Sequence, residues 1–166
     1  MGNQKNLART VRHFSIILIV LACLLVAANY LWAQKAEKGL LPTRFITSGG
    51  EKVFKLEIVN TPAGRGRGLM FRKSMDADKG MLFIFPEEQE NSFYMKNTYI
   101  SLDMIFVGAD RKVVGILDSV PVLNEQSRTV GKPSLYVIEL VAGAARAAGI
   151  TEGTEVVFDG VLPAAL

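Results

Sequence analysis

The chain has 166 residues, enough for one domain with an appended segment, and its 49% hydrophobic content is ample for a core. The net charge of +3 belongs to one end: five of the 19 Lys and Arg precede Gly39, which leaves 14 against 15 acids beyond it and no reason to expect a nucleic-acid partner. Cys23 and His13 are the only residues of their kinds and both lie near the amino-terminal end, which excludes structural disulfides, thiol nucleophiles, Cys/His zinc sites and a Ser-His-Asp triad from the remainder.

Phe14 to Ala33 runs for twenty residues without a charge. As a helix this stretch is about 30 Å long, the thickness of a bilayer's hydrocarbon layer. Lys5, Arg9 and Arg12 precede it, so the positive-inside bias predicts a cytoplasmic amino terminus and export of the residues beyond Ala33. Residues 1–33 are therefore a cleaved signal peptide, with Val26-x-Ala28 or Leu31-x-Ala33 as small-residue cleavage sites, or an uncleaved anchor with Tyr30 and Trp32 at the outer interface. Lipidation at Cys23 is disfavoured, because Leu21 fits poorly and the apolar run continues past the cysteine. The expected address is periplasmic or otherwise extracytoplasmic, with residues 14–33 meeting the cytoplasmic membrane. A lack of cysteine beyond the leader suits an oxidising compartment.

Residues 34–50 carry mixed charges, Pro42 and the pair Gly49-Gly50, and read as a linker with a short strand around Thr43 to Thr47. A compact domain is expected over residues 51–160, with 161–166 as a tail. Val53 to Val59 alternates, placing Phe54, Leu56 and Ile58 on one face and Lys55 and Glu57 on the other, the period of a half-buried strand. Pro62 suits the first turn of a helix reaching Arg72, although Gly64, Gly66 and Gly68 each weaken it by up to about 1 kcal/mol relative to Ala. Met81 to Phe85, Ser92 to Tyr99 and Leu102 to Val107 read as strands, and Gly108 to Arg111 as a hairpin turn into a strand over Val113 to Leu117. After a loop over 118–133 come a strand at Leu135 to Val141, a short helix at Ala142 to Ala148 and a last strand at Glu155 to Phe158. The fold class is mainly β (α+β): a small, mostly antiparallel barrel or curled sheet of about seven strands with two short helices, behind an N-terminal hydrophobic helix.

Several local patterns resemble known sites and fail on spacing. Gly64-Arg65-Gly66-Arg67-Gly68 lacks the glycine before Lys73-Ser74 that a phosphate loop needs, so it reads as a glycine-rich helix start exposing two arginines. Asp76-x-Asp78 with Glu87 lacks the fifth ligand and the central glycine of a calcium loop. Met70, Met75, Met81, Met95 and Met104 could offer thioethers to copper(I), but methionines inside predicted strands are ordinary core fillers. No metal or cofactor is expected.

The polar set Arg72, Lys96, Asn97, Thr98 and Asp103 lies among apolar residues and needs partners wherever it is buried. Asp103 pairing with Arg72 or Asn97 would give a network that fixes the fold. In a cleft, Arg72, Asn97, Thr98 and Asp103 are the candidate ligand-binding residues, and no catalytic residue can be assigned.

Gly68-Leu69-Met70-Phe71-Arg72, Gly80-Met81-Leu82-Phe83-Ile84-Phe85, Phe93-Tyr94-Met95-Lys96-Asn97-Thr98, Leu102-Asp103-Met104-Ile105-Phe106 and Tyr136-Val137-Ile138-Glu139-Leu140 stand in order across residues 52–159. On these motifs the chain resembles the domain of unknown function 192 family. The resemblance implies a compact β-rich domain, often behind an export signal, with no established activity and no catalytic residues to carry over. Tyr94 stands where the family commonly has tryptophan.

The leading expectation is thus an uncharacterised, non-enzymatic module at the cell envelope that binds a small ligand or an envelope protein. The alternatives are a carboxylate-based hydrolase of an envelope polymer, using Asp103 with Glu139 or another acid, and a membrane-tethered assembly factor.

Overall fold

The structure is a computed structural model that describes residues 19–24, 26 and 39–166. It divides into two compact units, Met1–Gly39 and Leu40–Leu166. In the first, residues 19–24 and 26 are helical, and the rest of the expected hydrophobic helix lies outside the described residues. No helix among the described residues is long and apolar enough to cross a membrane.

The second unit contains β1 (Leu40–Thr47), β2 (Gly50–Val59), α1 (Pro62–Arg67), β3 (Lys79–Glu90), β4 (Leu102–Val107), β5 (Val113–Val120), β6 (Pro133–Val141), α2 (Ala144–Ala148) and β7 (Glu155–Phe158). The strands form one seven-stranded curled sheet in the order β5-β4-β6-β3-β2-β1-β7. Every named pairing is antiparallel except β2 with β3, where the connection through α1 allows the parallel arrangement.

The three strands at the centre of the apolar block, β4, β6 and β3, explain why it reads as nearly unbroken hydrophobic sequence: both faces of the sheet are covered there. Leu82, Ile84, Ile105, Val107, Ile138 and Leu140 pack on one face with Ala145 and Ala148 of α2. Met81, Phe83, Met104, Phe106 and Val137 pack on the other with Leu69 and Met95. Successive side chains of a strand point to opposite faces, so each strand supplies both cores alternately. Met81, Met95 and Met104 are core residues of the second face, each at most 3% exposed.

Three expectations are corrected. The helix beginning at Pro62 stops at Arg67, because Gly68 takes φ 47° and its N–H bonds back to the Gly64 carbonyl, turning the chain away. Ser92 to Tyr99 is not a strand: Asn97 has φ 52°, Thr98 N–H bonds to Met95 O, and only Phe93 makes an isolated bridge, to Arg128. Met95 and Thr98 both face inward, on either side of the turn at Lys96-Asn97. The short strand expected around Thr43 to Thr47 is present but begins earlier, at Leu40: all eight residues of β1 pair with β2, and Thr43 to Ile46 pair also with β7, so this part of the expected linker belongs to the sheet. Its mixed composition reflects the alternation of buried residues with outward-facing ones such as Arg44, which salt-bridges Glu51 and Asp159.

Candidate functional site

The parity of β4 and β6 decides where the two internal acids point. Asp103 is paired with Leu140, and Met104 with Glu139, so Asp103 shares the first face with Leu140 and Glu139 shares the second with Met104. A catalytic pair of Asp103 with Glu139 is therefore absent: the two carboxyls are separated by the sheet.

Asp103 is fully buried and doubly held. Its Oδ1 accepts from Ser119 N–H at 2.9 Å and its Oδ2 from Ala145 N–H at 2.9 Å. The second bond caps α2 from a neighbouring strand, since Gly143 at the cap position has no side chain to do so. Asp103 thus meets neither Arg72 nor Asn97. Arg72 instead forks onto Glu57, with Nη2 to Oε2 at 2.6 Å, and this ion pair holds the Glu57 carboxyl below its ordinary range. Asn97 serves through its backbone, its carbonyl accepting from Phe71 N–H at 2.8 Å.

Glu139 is also buried but has a different environment. It is 4% exposed, its Oε2 has no hydrogen-bond partner, and burial alone pushes its carboxyl from the ordinary 4.5 up to about 8. Burial therefore favours the protonated, neutral form of Glu139 at pH 7. A cavity of about 190 Å³ opens over it. At about 30 Å³ per water, this space holds roughly six waters or one small organic molecule.

Three segments enclose the cavity. From the sheet come Phe83, Phe85 and Glu139; from the α1 end come Arg65 to Met70; from the turns after β3 come Ser92, Phe93, Tyr94 and Thr98. Phe93 stands edge-on to Phe83, Phe85 and Phe106, with centroids 5.2, 6.3 and 5.9 Å apart, so the aromatic wall is fixed. Gly68 closes over the acid: a Cβ there would lie 3.2 Å from the Phe83 ring and 4.0 Å from Glu139 Oε2. Thr98 is the one member of the predicted binding set that lines this cavity, with its hydroxyl donating to Lys96 O at 3.1 Å. Arg72 lines the adjoining groove with Phe71, and the two spaces share Arg67, Gly68 and Met70.

The two arginines of the glycine-rich turn have separate tasks. Arg65 donates to the carbonyls of Asn60, Ile84 and Leu166 at 3.0, 3.0 and 2.9 Å and stacks over Phe85 at 5.4 Å, so it ties α1 to the sheet. Arg67 is exposed and has no ion pair or side-chain hydrogen bond among the described residues. In sequence this turn reads as a helix start without a site, and Glu139 only as a partner for Asp103. The available signal was an acid inside an otherwise apolar strand motif, Tyr136 to Leu140. Among the described residues, no three His, Cys, Asp or Glu side chains gather as a metal site would require.

A family model described as DUF192, an uncharacterized ACR, matches residues 44–158. A crystal structure of a protein of unknown function from Novosphingobium aromaticivorans is 35% identical, with a TM-score of 0.69 over 71% of this chain and 84% of that one. A second, from Sinorhizobium meliloti, described as a proposed transcription regulator, is 33% identical, with a TM-score of 0.69 over 74% of this chain and 95% of that one. Comparison with curated proteins finds no match.

Proposed function

The chain belongs to the DUF192 family, and from that premise we propose that it is a non-enzymatic module that binds a small ligand in the cavity over Glu139. One observation carries the reading: a carboxyl 4% exposed, with an unpaired Oε2, lines a cavity large enough for a small molecule. A buried polar atom without a partner costs roughly 1–3 kcal/mol, and a fold keeps such a group where a ligand can use it. The aromatic wall gives the apolar area typical of ligand pockets, and the few polar groups supply orientation.

The module is placed outside the cytoplasmic membrane, with residues 14–33 delivering or anchoring it; the uncharged stretch behind Lys5, Arg9 and Arg12 supports this. An alkaline phosphatase fusion after residue 40 is active if this placement holds and inactive if the fusion point stays in the cytoplasm.

The binding reading is tested by amide chemical shifts of the full chain in detergent, screened against ring-containing fragments that fit about 190 Å³. Shifts converging on Gly68, Tyr94 and Thr98 are expected. Fragments that shift only α2 and β7, or none at all, overturn the assignment.

A further inference from the structure

The charges around the cavity select among possible ligands. Resting on the reading of this cavity as a ligand site, we infer that its ligand is a small ring-bearing organic anion, with the ring against Phe83 and Phe93, the anionic group at Arg67, and Glu139 donating a hydrogen bond to it.

Among the described residues, every charge facing the cavity is positive. Arg65 and Arg67 reach it from α1, Tyr94 is the only ionisable group from the turns after β3, and the cross-strand neighbours of Glu139 on β3 and β4, Met81 and Met104, are uncharged. Glu139 brings no charge while protonated. Arg65 spends its donors on the main-chain oxygens of Asn60, Ile84 and Leu166, while Arg67 keeps its whole donor fork free among the described residues. The free cation a ligand meets is therefore Arg67, which repels a cationic ligand and attracts an anionic one. The phenyl rings of Phe83 and Phe93 meet edge to face at 82°, forming an apolar corner against which a ring can pack. Glu139 completes the set, because a protonated carboxyl can donate to an anion and an ionised one would repel it.

Benzoate, benzamide and benzylamine have the same ring and differ in charge, so they separate the possibilities. Titrations of the full chain in detergent at pH 6, followed at the Gly68 and Thr98 amides, should give benzoate at least about ten-fold tighter binding than benzamide, with benzylamine weakest. Arg67→Gln, at an exposed position where folding is not at stake, should narrow the benzoate-to-benzamide gap to below about two-fold. Raising the pH from 6 to 9 should weaken benzoate binding as Glu139 ionises, and Glu139→Gln should abolish that pH dependence. Benzamide or benzylamine binding as tightly as benzoate overturns the anion assignment and leaves the cavity as a ligand site. Silence of all three at millimolar concentration removes both.

Discussion

Asp103 and Glu139 are both buried acids on adjacent central strands, yet they face opposite sides of one sheet and have opposite electrostatic environments. On the α2 side, Asp103 is held by two backbone N–H groups at 2.9 Å, and its burial is compensated. On the other side, the Glu139 Oε2 has no partner, and burial drives its carboxyl up to about 8. The difference teaches that a buried charge is informative only together with its hydrogen bonds. A satisfied acid fixes the fold, and an unsatisfied one beside a cavity leaves a polar group that the fold itself does not use.

The largest expected effect tests the structural member. Asp103→Ala strands the N–H groups of Ser119 and Ala145 and uncaps α2, and it should lower unfolding free energy by about 3 kcal/mol in urea denaturation of the full chain. Asp103→Asn keeps one acceptor oxygen and should lose about half as much. A loss below about 1 kcal/mol for Asp103→Ala would mean that the two sides of the sheet do not differ as drawn.

Glu139 should behave in the opposite sense. Its folded-state value is raised above the unfolded one, so the folded protein holds its proton more tightly. Stability is full below about 4.5, falls by on the order of 1 kcal/mol per pH unit as pH rises towards 8, and levels off above. Glu139→Gln removes that slope and should be more stable than the parent at pH 7, with the gap widening up to pH 8. Parallel stability curves for the two proteins between pH 5 and 8 would contradict the neutral-acid assignment. Gly68→Ala probes the roof of the same cavity. With φ 47° and a Cβ only 3.2 Å from the Phe83 ring, it should cost about 1–3 kcal/mol and displace bound fragments.

Much of the sheet is legible from alternation. Phe54, Leu56 and Ile58 announce β2, and the unbroken run of Leu102 to Val107 announces a strand covered on both sides. What alternation cannot give is register. Whether Asp103 lies opposite Glu139 or Leu140 is a one-residue question that exchanges the faces, and it is set by pairings between strands distant in sequence. The turn at Asn97 is hidden for a related reason: its positive φ is stabilised by distant partners, Phe71 N–H on its own carbonyl and Leu123 N–H on the carbonyl of Thr98. Of the predicted binding set, Thr98 reaches the cavity by facing inward from this turn, whereas Arg72 is drawn to Glu57 on β2, an acid that reads in sequence as merely the solvent side of a strand.

That last pair gives the smallest expected effect. The Arg72 and Glu57 side chains remain 36% and 41% exposed, so solvent screens their attraction, and a double-mutant cycle with Arg72→Gln and Glu57→Gln should return a coupling below about 1 kcal/mol. Because Arg72 holds the Glu57 carboxyl below its ordinary value, the contribution is present above about 4.5 and is lost as pH falls through the lowered value; added salt should shrink it at any pH. Neither substitution touches the wall or floor of the Glu139 cavity, so benzoate affinity should stay within about two-fold. A ten-fold loss in Arg72→Gln with this weak coupling intact would extend the binding surface from the cavity into the adjoining groove, with Arg72 as a second anion contact beside Arg67.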